Sequence, residues 1–146
     1  MEELGAGRVV RPEEVETLDF PWGHIRILSE PRLTGARRMT FALVELAPGQ
    51  GHDRHDHPDT EEIIYVVSGE GEQTVDDAGP VAVRAGAAVF VPDGAPHSTR
   101  NTGQGTLRLL VVYAPTGPED VFRSLPECTR VPSESEGGEL HLEGEA

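Results

Sequence analysis

Between His24 and Pro115 the chain alternates short runs of branched apolar residues with clusters of Gly, Pro and Asp. This rhythm predicts many brief strands separated by tight turns. Strands are expected near 24–29, 38–47, 61–68, 70–76, 81–84, 87–91, 97–101 and 106–113, with Phe41–Leu46 and Ile63–Val67 the richest in branched apolar side chains. Pro48-Gly49, Asp76–Pro80, Pro92-Asp93-Gly94 and Thr102–Gly105 supply the turns. No helical periodicity intervenes, so the expected architecture is all-β, an antiparallel sandwich or barrel of the jelly-roll type. Pro118–Arg123 is the exception. Proline near its start and acids in its first turn predict a short C-terminal helix.

The same pattern sets the organisation. Residues 1–19 read as a loosely ordered lead-in with at most one helical turn after Arg11-Pro12, 20–117 as a single barrel, and 118–132 as a short helical extension. Residues 133–146 are poor in apolar side chains and rich in Gly, Ser and Glu, which predicts a disordered acidic tail. No internal repeat is visible, so one barrel is expected rather than two.

Composition narrows the partners. The formal charge is −14, and residues 1–19 and 119–146 carry more than half of the acids, so the excess reads as solubilising ends. A chain this acidic is repelled by nucleic acid phosphates and anionic lipid, so neither is an expected partner. No apolar run approaches the ~20 residues that span a bilayer. The acidic N-terminus does not read as a signal peptide. Cys128, the only cysteine, fits a reducing compartment, and a cytoplasmic location is the expectation.

Candidate chemistry concentrates in His52-Asp53-Arg54-His55-Asp56-His57. His55 and His57 are two apart, so an extended backbone points both imidazoles to one face. Glu62 begins the next strand, and His97 begins another just after the Pro92–Pro96 turn. Three imidazoles and one carboxylate suit a divalent transition ion such as Fe, Mn, Ni, Co, Cu or Zn. A His-x-His on a loop is often no more than a solvated polar turn; the later segment changes its weight.

Gly49, His55, His57, Glu62 and Gly69 stand at the spacing of one motif, and Gly86, Pro92, Gly94, His97 and Asn101 at that of a second. On these ten positions the chain resembles the cupin superfamily, specifically its small, single-domain, conserved-barrel members. The resemblance implies a double-stranded β-helix, the jelly-roll or cupin barrel. It also implies that His55, His57, Glu62 and His97 ligate one divalent metal ion, the identity of which stays open. The motif glycines and Pro92 match turn positions, and Asn101 matches a position expected to be structural. Glu61 fits a looser spacing but is read as solvent-facing.

Strand parity extends the picture. With Glu62 inward, Ile64 and Val66 also face in, and Thr99 and Asn101 share the face of His97. Ile63, Tyr65 and Val67 then cover the other face and are apolar too, which calls for cover on both sides and, with the resemblance, for a homodimer. His52 has the opposite parity to His55 and is expected to point away from the metal. Trp22 is expected to plug the core, and His24 to lie at a rim or interface. Arg26, Met39, Phe41, Gln73, Phe90, Arg108 and Tyr113 are candidates for substrate contacts whose facing a one-residue register error would reverse.

The leading functional expectation is a metal-dependent enzyme acting on a small organic molecule, an oxygenase being favoured over a redox-neutral isomerase, lyase or cyclase. A non-catalytic small-molecule or metal sensor is the alternative class, and a structural storage protein, which typically lacks ligands retained here, is the third.

Overall fold

The computed structural model describes residues 1–134. Strands β1 (Glu2–Leu4) and β2 (Gly7–Val9) form a separate two-stranded ribbon, followed by a 3-10 turn at Pro12–Glu14. The barrel strands follow: β3 (Thr17–Phe20), β4 (Gly23–Ser29), β5 (Thr40–Leu46), β6 (Glu61–Ser68), β7 (Glu70–Val75), β8 (Ala78–Arg84), β9 (Ala88–Val91), β10 (His97–Asn101) and β11 (Leu107–Ala114). A single-turn helix, α1 (Pro31–Thr34), links β4 to β5, and α2 (Pro118–Ser124) leads to β12 (Thr129–Val131). The described residues form an antiparallel seven-stranded sheet, ordered β12-β3-β4-β5-β11-β6-β9, and a three-stranded sheet, ordered β10-β7-β8. This is the expected all-β jelly roll with one short helix after it.

Alternation builds the core. Every second residue of β5, β6 and β11 is buried, giving Ala42, Val44 and Leu46, then Ile64 and Val66, then Leu107, Leu109 and Val111. These side chains meet Leu18, Ile25 and Ile27 from β3 and β4 in one apolar cluster. The registers Ile25↔Val44, Val44↔Leu109 and Val66↔Leu109 carry that inward face from strand to strand. Glu62 is inward on β6 with Ile64 and Val66, and Glu61 is exposed, both as expected.

The first nineteen residues differ from a loose lead-in. They carry β1, β2, the 3-10 turn and most of β3, whose Leu18 is fully buried. Four residues, Thr-Leu-Asp-Phe, are too few to announce a strand by alternation. Its neighbour β12 is exposed at every position and shows no alternation at all. The acidic tail lies outside the described residues from position 135 on; at its head, Ser133 is buried. No helix among the described residues is long and apolar enough to cross a membrane.

Two glycines fix close approaches. A Cβ at Gly51 would lie 2.5 Å from the Thr99 carbonyl oxygen, so only glycine lets the histidine loop lie against β10. Gly69, between β6 and β7, has φ +93° and would drive a Cβ to 2.8 Å from the Thr106 carbonyl oxygen.

Candidate metal centre

The loop between β5 and β6 runs along β10. Gly51 bridges Arg100, and His55 bridges His97. The second bridge is reciprocal: the His55 N–H donates to the His97 carbonyl (3.0 Å) and the His97 N–H donates to that of His55 (2.8 Å). Two residues 42 positions apart in sequence thus sit opposite one another, with ring centroids 4.3 Å apart. His57 joins them, its ring 4.9 Å from His55 and 5.4 Å from His97.

The structure brings His55, His57 and His97 together, with one ligand atom from each within 4.8 Å of the others. Three nitrogens about 2.1 Å from one ion lie about 3–3.5 Å apart, so the rings would draw together around an ion. Glu62 enters from β6. Its Oε1 lies 3.1 Å from His97 Nε2 and 3.4 Å from His57 Nε2. The 3.1 Å contact lacks hydrogen-bond alignment. Among the described residues, His57 Nε2, His97 Nε2 and Glu62 Oε1 are the buried side-chain polar atoms left without a hydrogen-bond partner. Such groups are costly to bury unsatisfied, and here they converge on one point. That is the donor set a divalent ion would satisfy.

Local hydrogen bonds orient the rings. His55 Nδ1 lies 2.8 Å from the Asp53 carbonyl oxygen, and His97 Nδ1 lies 2.9 Å from that of Ala95. A carbonyl can only accept, so each Nδ1 carries a proton, and in the neutral ring each Nε2 keeps its lone pair for the centre. Burial, reinforced by His55 and His97, pushes the His57 imidazole down to about 3. Burial also lowers His55, against its hydrogen bond to Asp53. Burial acts the same way on His97, but Glu62 outweighs it and holds that imidazole above its ordinary value. At neutral pH His57 is therefore a neutral donor beside an anionic partner, the protonation state a metal ligand needs.

On its outer side the centre opens into a cavity of about 490 Å³. Trp22 stacks on core residue Phe20, with centroids 4.8 Å apart and planes 10° from parallel, and it also lines the cavity. It is therefore both plug and wall. Opposite it, α2 and the turn after it contribute Val121, Phe122 and Leu125. Phe122 meets His57 edge-on, centroids 5.8 Å apart, and Tyr113 packs on the same imidazole at 5.3 Å.

His52 departs from its expected outward facing. It lines this cavity, with its ring 3.8 Å from that of Trp22 and 5.2 Å from that of His55. Parity failed because residues 51–60 form no continuous strand; only isolated bridges hold Gly51 and His55. Burial lowers His52 to about 3. Of the other candidate contacts, Arg26 and Arg108 pair with Glu45 at 3.0 and 2.9 Å, on the outer face of β4, β5 and β11. Gln73 is buried and accepts from the Thr99 hydroxyl, while Met39 and Phe90 are exposed. Asn101 is structural: its amide donates to the carbonyls of Leu46 and Gly105, and its side-chain oxygen accepts from Gly103 N–H. Val121, Phe122 and Leu125 were not singled out in the sequence. The i, i+1, i+4 apolar spacing of Val121, Phe122 and Leu125, one face of a helix, was the signal that could have marked the wall.

Comparison with known proteins agrees with this geometry. The family model described as Cupin domain matches residues 42–113, which holds all four candidate ligands. The polyketide synthase CurC of Streptomyces cyaneus is 31% identical over 112 residues, covering 77% of this chain and 72% of the relative. An oxalate-binding protein of Thermotoga maritima is 33% identical over 116 residues, covering 74% and 94%. The crystal structure of a predicted oxalate decarboxylase from T. maritima superposes with a TM-score of 0.63 at 28% identity, covering 75% of this chain and all of that one.

Proposed function

The chain belongs to the cupin family, and on that footing we propose that it is a metal-dependent enzyme acting on a small, oxygen-bearing organic molecule. In this reading His55, His57, Glu62 and His97 hold one divalent transition ion. The observation that carries it is the convergence of three buried, unsatisfied polar atoms beside a half-open cavity. When bound, the ion supplies Lewis acidity towards substrate oxygens and, if it is iron or copper, redox chemistry.

The chain's own residues do the rest. Carbonyls of Asp53 and Ala95 hold two imidazoles with their free nitrogens inward. Glu62 provides the compensating negative charge. The apolar cluster around Ile64, Val66 and Val111 keeps water from the barrel side. Trp22 and α2 flank the open side and orient what enters. CurC and the oxalate-binding protein carry names that point to oxygen-rich carbon skeletons, which supports the substrate class.

We extend the proposal to oxygenase-type chemistry. Elemental analysis of anaerobically purified protein, with His57→Ala and His97→Ala alongside, tests both levels. Near-stoichiometric iron or copper, lost in each variant, is the expected result. Stoichiometric zinc, nickel or manganese redirects the reaction to isomerase, lyase or cyclase chemistry. Metal content unchanged in both variants overturns the ligand assignment.

We also propose a homodimer. Ile63, Tyr65 and Val67 on the outer face of β6, with Phe90 opposite Ile63 on β9, make an exposed apolar stripe on an otherwise acidic molecule.

A further inference from the structure

We infer that the cavity beside the candidate centre takes an uncharged, ring-bearing molecule and turns away dicarboxylates. The inference rests on the reading that this cavity is the substrate site. It is carried by what lines it.

One wall is Trp22, backed by Phe20 so that the indole is fixed before anything binds, and the facing wall is Val121, Phe122 and Leu125. Val121 is 55% exposed. Two apolar walls around about 490 Å³ leave room for one or two fused rings. The remaining lining is polar, with Gln50 and the imidazoles of His52, His55 and His57, and its charged side chains are the acids Asp53, Asp56 and Glu127.

Among the described residues no arginine lines the cavity, and the chain has no lysine. The arginines next to lining residues in sequence turn to other partners, Arg54 through an exposed surface contact and Arg123 through a buried one. Arg54 faces Asp77, and Arg123 is held by Glu16 and Glu30. A site for a dicarboxylate is ordinarily built with a cationic fork to receive it. Here the far carboxylate of such a ligand would meet three carboxylates instead. A ring carrying hydroxyl or keto oxygens can present them to the centre while its carbon face lies on Trp22.

The test is isothermal titration of metal-free and Zn²⁺-loaded protein with two matched probes, 2,3-dihydroxynaphthalene and naphthalene-2,3-dicarboxylate. The pair shares ring and shape and differs in charge. The diol should bind the protein at least about tenfold more tightly than the dicarboxylate. Val121→Ser/Leu125→Ser should weaken the diol. Asp53→Asn/Asp56→Asn/Glu127→Gln should narrow the gap between the probes. Equal or tighter binding of the dicarboxylate, or a diol indifferent to the wall substitutions, overturns the inference, as does failure of both probes to bind. Diol binding to a protein that takes up no Zn²⁺ would leave this inference standing and bring down the metal reading. Zn²⁺ uptake with a preference for the dicarboxylate would do the reverse.

Discussion

Phe122 stands edge-on to His57, the two ring planes 89° apart, so the helix after the barrel packs directly on a candidate metal ligand. Phe122 is 5% exposed and completes the apolar cluster at the mouth of the barrel. Phe122→Ala should therefore cost about 3 kcal/mol of stability through the cavity it leaves. It should also weaken substrate binding more than metal uptake, because the ligands themselves remain. Urea unfolding checks the first half, and metal content beside titration with 2,3-dihydroxynaphthalene checks the second.

The helix is held by charge on its other side. Arg123 binds both oxygens of Glu30, which is 3% exposed, and reaches Glu16 at 3.0 Å. Its pKa is raised by those partners, Glu30 first, against the opposing effect of burial. Removing Arg123 leaves a buried carboxylate with only the distant Arg32, 3.8 Å away. Arg123→Ala should cost about 3 kcal/mol. The double variant Arg123→Ala/Glu30→Ala should lose less than the sum of the two single variants. Additive losses would contradict the pairing.

Metal-free protein should lose stability as the pH falls below about 6.5, the ordinary histidine value. Folded His57 resists protonation down to about 3, whereas the unfolded chain takes up that proton from 6.5 downwards. Its contribution is thus complete above pH 6.5 and declines through the acid range, by about 1.4 kcal/mol per pH unit. His52 adds a slope of the same sign, and His97, raised rather than lowered, opposes it. Unfolding free energies at pH 7, 6 and 5 should fall in order, and His57→Leu should flatten the series. A flat wild-type series would mean that burial does not suppress the charge on His57.

The proposed dimer is tested on the outer face of β6. Tyr65→Glu/Phe90→Glu places charge in the stripe without touching the inward Ile64 or Val66. Sedimentation should change from dimer to monomer while the metal content stays put. A wild-type monomer at micromolar concentration would remove the proposal.

Gly51→Ala should disturb the centre from outside it. The added Cβ would press on the Thr99 carbonyl and lift the histidine loop from β10. We expect weaker metal retention on dialysis with little loss of secondary structure by circular dichroism. Unaltered retention would show that the loop tolerates the displacement.

Much of this was legible in the sequence wherever a regular strand carried it. The alternation of Glu62, Ile64 and Val66 fixed their common inward face, and the shared face of His97, Thr99 and Asn101 followed by the same rule. His52 escaped because parity propagates only along a continuous strand, and residues 51–60 are a loop pinned at two points. Trp22 reads from the sequence as a core plug, and its second role as cavity wall was not legible, since its stacking partner Phe20 belongs to a strand too short to read. Arg26 and Arg108 were ambiguous for a different reason: Glu45, on the strand between β4 and β11, claims both, and that adjacency is a property of sheet order. The cavity wall from α2 is tertiary in the same sense.

The reciprocal backbone pair between His55 and His97 separates fastening from chemistry. Its two hydrogen bonds belong to peptide groups, so they persist whatever side chains those positions carry. Position 55 or 97 can exchange imidazole for carboxylate, amide or thiolate, and the two segments stay buttoned together. A lineage could therefore change ions, or abandon them, by point substitution alone. The frame keeps its shape while the tool mounted in it is replaced.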